Sequence, residues 1–408
     1  MFNEDELNQW RRTHYSVELN QSFENSGSTI IVMGWISSVR DHGNIQFITI
    51  NDRYGEIQMV VKKGECDPQL YSRIVKLKEH TSVGVKGRII SQKKSPNGIE
   101  LIPIEIKIFS LPKKPSPFLV QQKTQIGIDT RLDLRALDLR RNLLRNIFLI
   151  RNNVLQSIRE FLLNKGFIEV NTPKMIATAT EGGTALFPIF YYDREAFLAQ
   201  SPQIYKEQLT MAFENVFEIG PIFRAEPSRT NRHLSEAISI DIEKAFVDYN
   251  DIMNLVENMI MFIIENMKMK NENEIKFLGI DKLIDEIKIP FPRYTYSEIV
   301  NKLKDNHENI RWGNDLSPQL LKKGLSSLEN DKFYFITDWP SSIKPFYVKE
   351  KNILENHGYP DRKISESFDL MYESLELSSG STRINRKEVL EEKMQKKGLN
   401  LNSFNYHL

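Results

Sequence analysis

The chain has 408 residues, room for roughly two to three domains, and with 40% hydrophobic and 27% charged residues it is neither a disordered polymer nor a collagen-like one. Lys+Arg number 55 and Asp+Glu 54, a formal charge of +1, which excludes the broad basic field that coats nucleic acid or anionic lipid without selectivity. Cys66 stands alone, so neither an internal disulfide nor a cysteine-based zinc site can form, and a reducing, cytoplasmic setting is expected.

Met1 to Arg12 carries acidic residues and no apolar run, unlike a signal or transit peptide. From Thr29 to about Phe109 short β-branched runs alternate with turn signals: Thr29–Met33, Ile45–Ile50 and Ile57–Val61, with hairpin chemistry at Asp52-Arg53-Tyr54-Gly55 and Ser95-Pro96-Asn97-Gly98. One helical stretch is predicted between Pro68 and Lys78. A handful of strands with one helix fits a small closed barrel of the oligonucleotide-binding (OB) kind. Leu111 to Pro117, rich in proline and lysine, is predicted to be extended, and Asp129 to Arg141 forms a second connector before a long amphipathic helix from near Asn142 to Gly166. The expected domains are therefore 1–111, a linker 112–141, and 142–408.

Beyond Gly166 helices and strands alternate, and the runs Val216–Arg224 and Ala237–Ala245, joined by a short polar loop, are expected to pair antiparallel. Helices are predicted at Asp251–Lys270 and Lys387–Lys397. Glu257, Asn258 and Glu265 interrupt the apolar stretch Ile252–Met267, making it a core helix and not a membrane span. The second domain is thus predicted to be α+β, an antiparallel sheet flanked by helices. In the run after Ala237, alternation puts Ile238, Ile240 and Ile242 on one face, expected to be core, and Ser239, Asp241 and Glu243 on the other.

The segment Phe223 to Leu234 carries three arginines in a strand–loop–strand setting. Guanidinium forks beside carboxylates suit a polyphosphate and its metal ions; a solvated charged hairpin fits the same residue types. Read from residue type alone, Phe47 is expected in the barrel core, with a stacking platform for a base as the other reading, and Lys206 is expected to be a surface lysine on its helix.

Four ordered motifs carry a resemblance over most of the chain. Gly166-Phe167-Ile168-Glu169-Val170-Asn171-Thr172-Pro173 resembles motif 1 of the class IIb aminoacyl-tRNA synthetases, and Phe223–Glu226 with Arg232-His233-Leu234 resembles motif 2. Thr180-Glu181-Gly182-Gly183-Thr184 and Gln200–Lys206 are similar to the archaeal and eukaryotic type of aspartyl-tRNA synthetase. The resemblance implies an N-terminal OB-fold anticodon-binding barrel followed by a class II catalytic domain. It implies activation of L-aspartate with ATP and transfer to the 3′-end of tRNA(Asp), by a cytoplasmic homodimer with no membrane attachment. Ser37, two positions after Trp35, leaves open whether tRNA(Asn) is charged as well.

Residue by residue, the resemblance implies that Arg224 grips the α-phosphate as the catalytic cation, and that Ala225, Glu226, Arg232, His233, Leu234 and Glu376 complete the ATP site. Glu181, Gln203, Ile204, Tyr205, Lys206, Arg224, Ser379 and Arg383 are implied to bind aspartate, with Lys206 and Arg383 clasping its side-chain carboxylate. Asp369, Glu376 and Ser379 are the implied magnesium ligands, and Arg40, Phe47 and Gln58 the implied anticodon contacts. The remaining histidines, His407 among them, have no recurrent partner spacing and are read as structural or surface residues. No Gly-x-Gly-x-Glu-Arg string of the family's third motif occurs before Leu408, so the catalytic domain is expected to be C-terminally incomplete. Two alternatives follow: an asparaginyl-tRNA synthetase, or a catalytically inactive tRNA-binding relative.

Overall fold

The computed structural model describes residues 4–118, 120, 126–177, 186–225, 234–324, 332–351, 363–399, 401–404 and 407. The chain divides into two units, Met1–Ile147 and Phe148–Leu408.

In the first unit β1 (Ile30–Asp41), β2 (Ile45–Asn51), β3 (Glu56–Lys62), β4 (Ser82–Ser91) and β5 (Ile99–Ser110) close a barrel in the order β1-β2-β3-β5-β4. Strand alternation builds its core: Ile48 and Ile50 of β2 meet Ile57, Met59 and Val61 of β3, with Val83, Val85 and Leu101 behind them. The β2–β3 hairpin closes because Asp52 Oδ1 accepts from the amides of Tyr54 at 2.8 Å and Gly55 at 3.0 Å. Gly34 is demanded by proximity, since a Cβ there would lie 2.4 Å from the carbonyl oxygen of Asn51. The predicted helix is present as Pro68–Ile74, shorter than expected: Asp67 caps the amides of Gln69 and Leu70, proline fills the first turn, and the turn that follows Ile74 carries the chain toward β4. The connector after residue 126 contains two short helices, Ile128–Asp133 and Arg135–Asp138, organised around fully buried Asp138, which pairs with Arg131, Arg135 and Arg141. A buried carboxylate is tolerated there because three guanidinium groups converge on it.

The long helix Asn142–Asn164, whose residues from Phe148 onward belong to the second unit, stops at Gly166, whose φ of 79° needs a glycine. Its inner residues Ile158, Phe161 and Leu162 pack on Phe217, Ile219 and Ile242. Those last three belong to a sheet in the order β11-β10-β6, from β6 (Ile168–Glu169), β10 (Asn215–Phe223) and β11 (Glu236–Lys244). As expected, β10 and β11 are antiparallel, with Glu218 opposite Asp241 and Val216 opposite Glu243, while β6 joins parallel to β10. Buried Glu218 accepts from the Thr172 amide at 2.9 Å and Thr172 Oγ1 at 2.7 Å, and pairs with Lys174 at 2.9 Å, tying the segment after β6 to the sheet. A small sheet β7-β9-β8 (Met175–Ile176, Arg194–Leu198, Pro188–Tyr191) adjoins in sequence.

A further sheet runs β12-β13-β14-β15, from β12 (Arg293–Thr295), β13 (Phe333–Thr337), β14 (Ser367–Tyr372) and β15 (Leu375–Ser381). Helix Tyr249–Lys270, started by the capping box of Asp248 and Asp251, covers Phe335, Phe368 and Leu370 on one face. Gly380 lets β15 lie against β14, because a Cβ at that position would come within 2.6 Å of the Phe368 ring.

One expectation is overturned. Ile238 and Ile240 of β11 are 48% and 39% exposed, while Glu243 on the opposite face is 8% exposed. Only the Ile242 end of the apolar face is covered by helices; the polar face is the one that other elements close over.

Candidate active site

Among the described residues, the polar face of β11 carries a dense group of charges. Lys206, on helix Gln203–Phe213, is 7% exposed, and its Nζ lies 3.1 Å from Asp241 Oδ1 and 3.4 Å from Glu243 Oε2. Arg383, just past β15, grips Glu243 with two parallel bonds, Nε to Oε1 at 2.9 Å and Nη2 to Oε2 at 3.0 Å. Its Nη1 donates to Ser381 Oγ at 2.6 Å, its Nη2 reaches Gln203 Oε1 at 3.4 Å, and the guanidinium lies 4.9 Å from the Tyr347 ring centre. Burial opposes the Glu243 charge, but Arg383 and Lys206 outweigh it and hold that carboxyl below its usual range. Burial likewise opposes the Lys206 charge, and Asp241 with Glu243 outweighs it, so Lys206 stays an ammonium.

Glu207 accepts from the Gln203 amide, lies 3.5 Å from Arg383 Nε, and lies 3.2 Å from Nε2 of buried His407. The cluster thus gathers Lys206 and Arg383 with Asp241, Glu243 and Glu207. A carboxylate arriving here would meet cations whose partners are already charged and would have to compete with those fixed ions. Ile204 spends its side chain in a core cluster with Phe346, Tyr347, Met394 and Phe404. Tyr205 is half-buried on the same helix.

A second group of polar residues sits on β14 and β15. Asp369, 5% exposed, lies directly across the antiparallel pair from Ser379, and Glu376 lies across from Met371, after a bulge. Burial pushes the Asp369 carboxyl up to about 6; Lys344 works against that shift, and the charges of Glu376 and Asp315 add to it. Lys344 Nζ donates to Asp369 at 2.9 Å and 3.1 Å. Two carboxylates and a hydroxyl are hard oxygen donors, the set that magnesium takes together with phosphate oxygens. Among the described residues no group of three or more His, Cys, Asp or Glu gathers to cage an ion. These oxygen donors fit a magnesium ion whose remaining ligands come from a nucleotide's phosphates. Arg224 is exposed at the end of β10, where its amide donates to the Ser235 carbonyl at 3.0 Å; Ala225 is half-buried and Leu234 exposed. Glu181, Glu226, Arg232 and His233 lie outside the described residues.

In the first unit Arg40, Phe47 and Gln58 share the outer face of the barrel. Arg40 is directly opposite Phe47, and Gln58 opposite Thr49, two residues along β2. Phe47 is half-buried outside the core cluster, edge-on to His42 at 5.7 Å and under the Arg40 guanidinium at 5.8 Å. Gln58 is 4% exposed and fully engaged: Arg40 donates to its Oε1 at 2.7 Å, and its Nε2 donates to Ser95 Oγ at 3.0 Å and Glu100 Oε1 at 3.1 Å. A base read by this amide must exchange with one of those partners. Ser37 lies buried beneath, its Oγ donating to the Thr49 carbonyl at 3.3 Å.

Sequence reasoning missed Glu207, Lys344, Tyr347, Glu100 and the position of His407. Glu207 carried a usable signal, four residues after Gln203 and so on the same helix face. Lys344 and Tyr347 sit in an irregular segment with no periodicity to read.

Comparison with known proteins finds matches along nearly the whole chain. The family model for class II tRNA synthetases (D, K and N) matches residues 127–407, and that for the OB-fold nucleic acid binding domain matches residues 30–109. A relative from Methanocaldococcus jannaschii named aspartate–tRNA(Asp/Asn) ligase is 44% identical over 403 residues, 98% of this chain and 88% of that protein. One of the same name from Archaeoglobus fulgidus is 44% identical over 396 residues, 97% of this chain and 89% of the relative. Among solved structures, asparaginyl-tRNA synthetase from Pyrococcus horikoshii with asparaginyl-adenylate is similar at a TM-score of 0.88 and 27% identity, over 97% of this chain and 89% of that one. Aspartyl-tRNA synthetase from Entamoeba histolytica gives 0.80 and 26%, over 97% and 83%. The barrel, the antiparallel sheet and the matches across nearly all of both chains lead to one conclusion: the chain belongs to the class II tRNA synthetases (D, K and N) and carries an OB-fold domain at its N-terminal end.

Proposed function

We propose that this protein is an aspartate–tRNA ligase, which joins L-aspartate to AMP at the expense of ATP and then passes the aspartyl group to the terminal adenosine of tRNA(Asp). The observation that carries the reading is the convergence of buried Lys206 and of Arg383 on Glu243, beside Gln203 on the helix that bears Lys206. Two fixed cations favour a ligand with a second carboxylate. Both cations are already paired with Asp241, Glu243 and Glu207, so the preference over asparagine comes from the stronger, charge-assisted bonds a carboxylate makes to Lys206 and Arg383 as it competes with those partners. The 44% identity to ligases named for aspartate supports the same choice over asparagine.

In this reading the reaction needs no side chain to accept a proton, because the attacking α-carboxylate is already ionised. The chain's work is orientation and charge stabilisation. Gln203 and Glu181 hold the α-ammonium end, Lys206 and Arg383 fix the side chain, and Arg224, exposed at the strand end, meets the α-phosphate. Ala225, Glu226 and Leu234 line the adenine side, with Arg232, His233 and Glu376 toward the outer phosphates. Asp369, Glu376 and Ser379 would hold magnesium, which when bound neutralises charge on the leaving pyrophosphate. In the barrel, Phe47 stacks an unpaired anticodon base, while Gln58 and Arg40 read its edge and backbone. Homologues named for both tRNA(Asp) and tRNA(Asn) support a second acceptor for this chain as well. The half-exposed Ile238 and Ile240 support a homodimer in which a second copy covers them, in the cytoplasm where tRNA is charged. Light scattering that returned the mass of a single chain would overturn that assembly.

The test is ATP–pyrophosphate exchange driven by aspartate or asparagine, followed by charging of both tRNAs. Aspartate-dependent exchange is expected, with Lys206→Met lowering kcat/KM for aspartate by about a hundredfold or more. Exchange driven equally by asparagine would refute the aspartate assignment.

A further inference from the structure

Lys344 stands out among the charged residues of the second unit that the proposed reaction leaves without a role. It lies in the irregular segment between β13 and β14, with its side chain 16% exposed against 7% for Asp369. One ammonium donates to both oxygens of that carboxylate, at 2.9 Å and 3.1 Å. The same Nζ lies 4.3 Å from the centre of the Trp339 ring. Trp339 is itself pinned, 4% exposed in the core with Tyr296 and Tyr334, its Nε1 donating to the Ile336 carbonyl at 3.1 Å. The ammonium therefore rests on a rigid aromatic platform with the carboxylate before it.

A divalent ion binds a carboxylate through the same oxygen lone pairs that accept hydrogen bonds. With Lys344 in place both oxygens of Asp369 are engaged, so an ion cannot reach them without moving the ammonium or sharing an oxygen with it. Two cations on one buried carboxylate also repel each other strongly in a medium of low dielectric. Fold stability gives no strong reason for a lysine here, since buried ion pairs are about neutral against apolar residues of similar size. Asp315 and Glu376 add negative potential at Asp369, so three carboxylates face one ammonium, a balance that favours a further cation.

We propose that Lys344 is a resident counter-ion of the nucleotide–metal site: it occupies Asp369 while the site is empty, yields the carboxylate to the metal ion, and turns its ammonium from the Trp339 platform to the phosphate oxygens that arrive with the ion. This rests on the reading of Asp369, Glu376 and Ser379 as metal ligands. It makes Lys344 a positioning residue with opposite effects on the two halves of the ligand. It weakens the metal alone, by competition, and strengthens the metal–nucleotide pair, by phosphate binding.

The experiment uses the full chain with Mn2+ as a paramagnetic probe of the magnesium site. Free Mn2+ is followed by electron paramagnetic resonance, with and without a non-hydrolysable ATP analogue, for the parent, Lys344→Met, Lys344→Gln and Asp369→Asn, each checked for folding by circular dichroism. Mn2+ alone is expected to bind about tenfold more tightly to both Lys344 variants than to the parent, because a like charge a few ångströms from the ion has gone. The ATP analogue is expected to bind about tenfold more weakly to them. A merely structural lysine would loosen the site and weaken both ligands. Asp369-dependent Mn2+ binding that is unchanged or weakened in both Lys344 variants overturns the counter-ion role while leaving the metal site standing. Mn2+ binding that Asp369→Asn leaves intact, or no binding to any form, overturns the metal site itself and the inference with it.

Discussion

Replacing Glu243 with glutamine removes one negative charge from the point where Lys206 and Arg383 meet. Glu243 takes two bonds from Arg383, at 2.9 Å and 3.0 Å, and lies 3.4 Å from Lys206 Nζ. Loss of one partner from a buried ion pair costs about 3–5 kcal/mol, because the charge left behind stays out of water without its counter-ion. The amide oxygen of glutamine keeps one guanidinium bond, worth about 1 kcal/mol, so the net loss is about 3 kcal/mol. For a folded body of this size that lowers Tm by about 10 °C. The same reasoning predicts a rescue. The side-chain carboxylate of aspartate supplies the missing charge, so saturating aspartate recovers most of the lost Tm in Glu243→Gln and raises the parent far less. Asparagine, neutral at that end, recovers little. Differential scanning calorimetry of both proteins with each amino acid measures this directly. A variant as stable as the parent, or one that aspartate and asparagine stabilise equally, would refute the idea that one pool of positive charge serves Glu243 and the substrate in turn.

Two further outcomes are expected. Phe47→Ala removes a stacking face worth about 1–3 kcal/mol, so tRNA affinity measured by filter binding falls by about tenfold or more while aspartate-dependent exchange without tRNA is unaltered; equal affinity would place the base contacts elsewhere on the barrel. Burial raises the Asp369 carboxyl from 3.8 in the unfolded chain to about 6, so the folded protein keeps this proton to higher pH than the unfolded one. The residue then costs nothing below the unfolded value, becomes a burden as pH rises between the two, and carries its full cost of about 3 kcal/mol above the folded value. Asp369→Asn does not titrate, so in urea unfolding the stability difference should shift toward the variant by about 2 kcal/mol between about pH 4 and about pH 7. A constant difference would mean that Asp369 ionises as readily folded as unfolded.

Local pattern was enough for much of this protein. Runs such as Ile45–Ile50 and Ile57–Val61 alternate, and hairpin chemistry at Asp52–Gly55 joins them, so β2 and β3 were legible as paired strands before any tertiary contact was known. The helices at Asn142–Asn164 and Tyr249–Lys270 announced themselves by period and by their ends. The motifs, Gln200–Lys206 among them, carried the resemblance to the family whose model matches residues 127–407.

Tertiary structure decided which face of a pattern is covered. Alternation fixes that Ile238 and Ile240 share one side of β11 and Asp241 and Glu243 the other, but nothing along the strand says which side meets other elements. The polar side is buried because Lys206 arrives from a helix that precedes β10 and Arg383 from the far end of β15, and two cations brought from distant sequence make a carboxylate face worth enclosing. Lys344 and Tyr347 became visible for the same reason. Their roles come from Asp369 and Arg383, neighbours supplied by the fold, and a charge is stabilised by whatever lies within a few ångströms of it, not by what lies beside it in the chain.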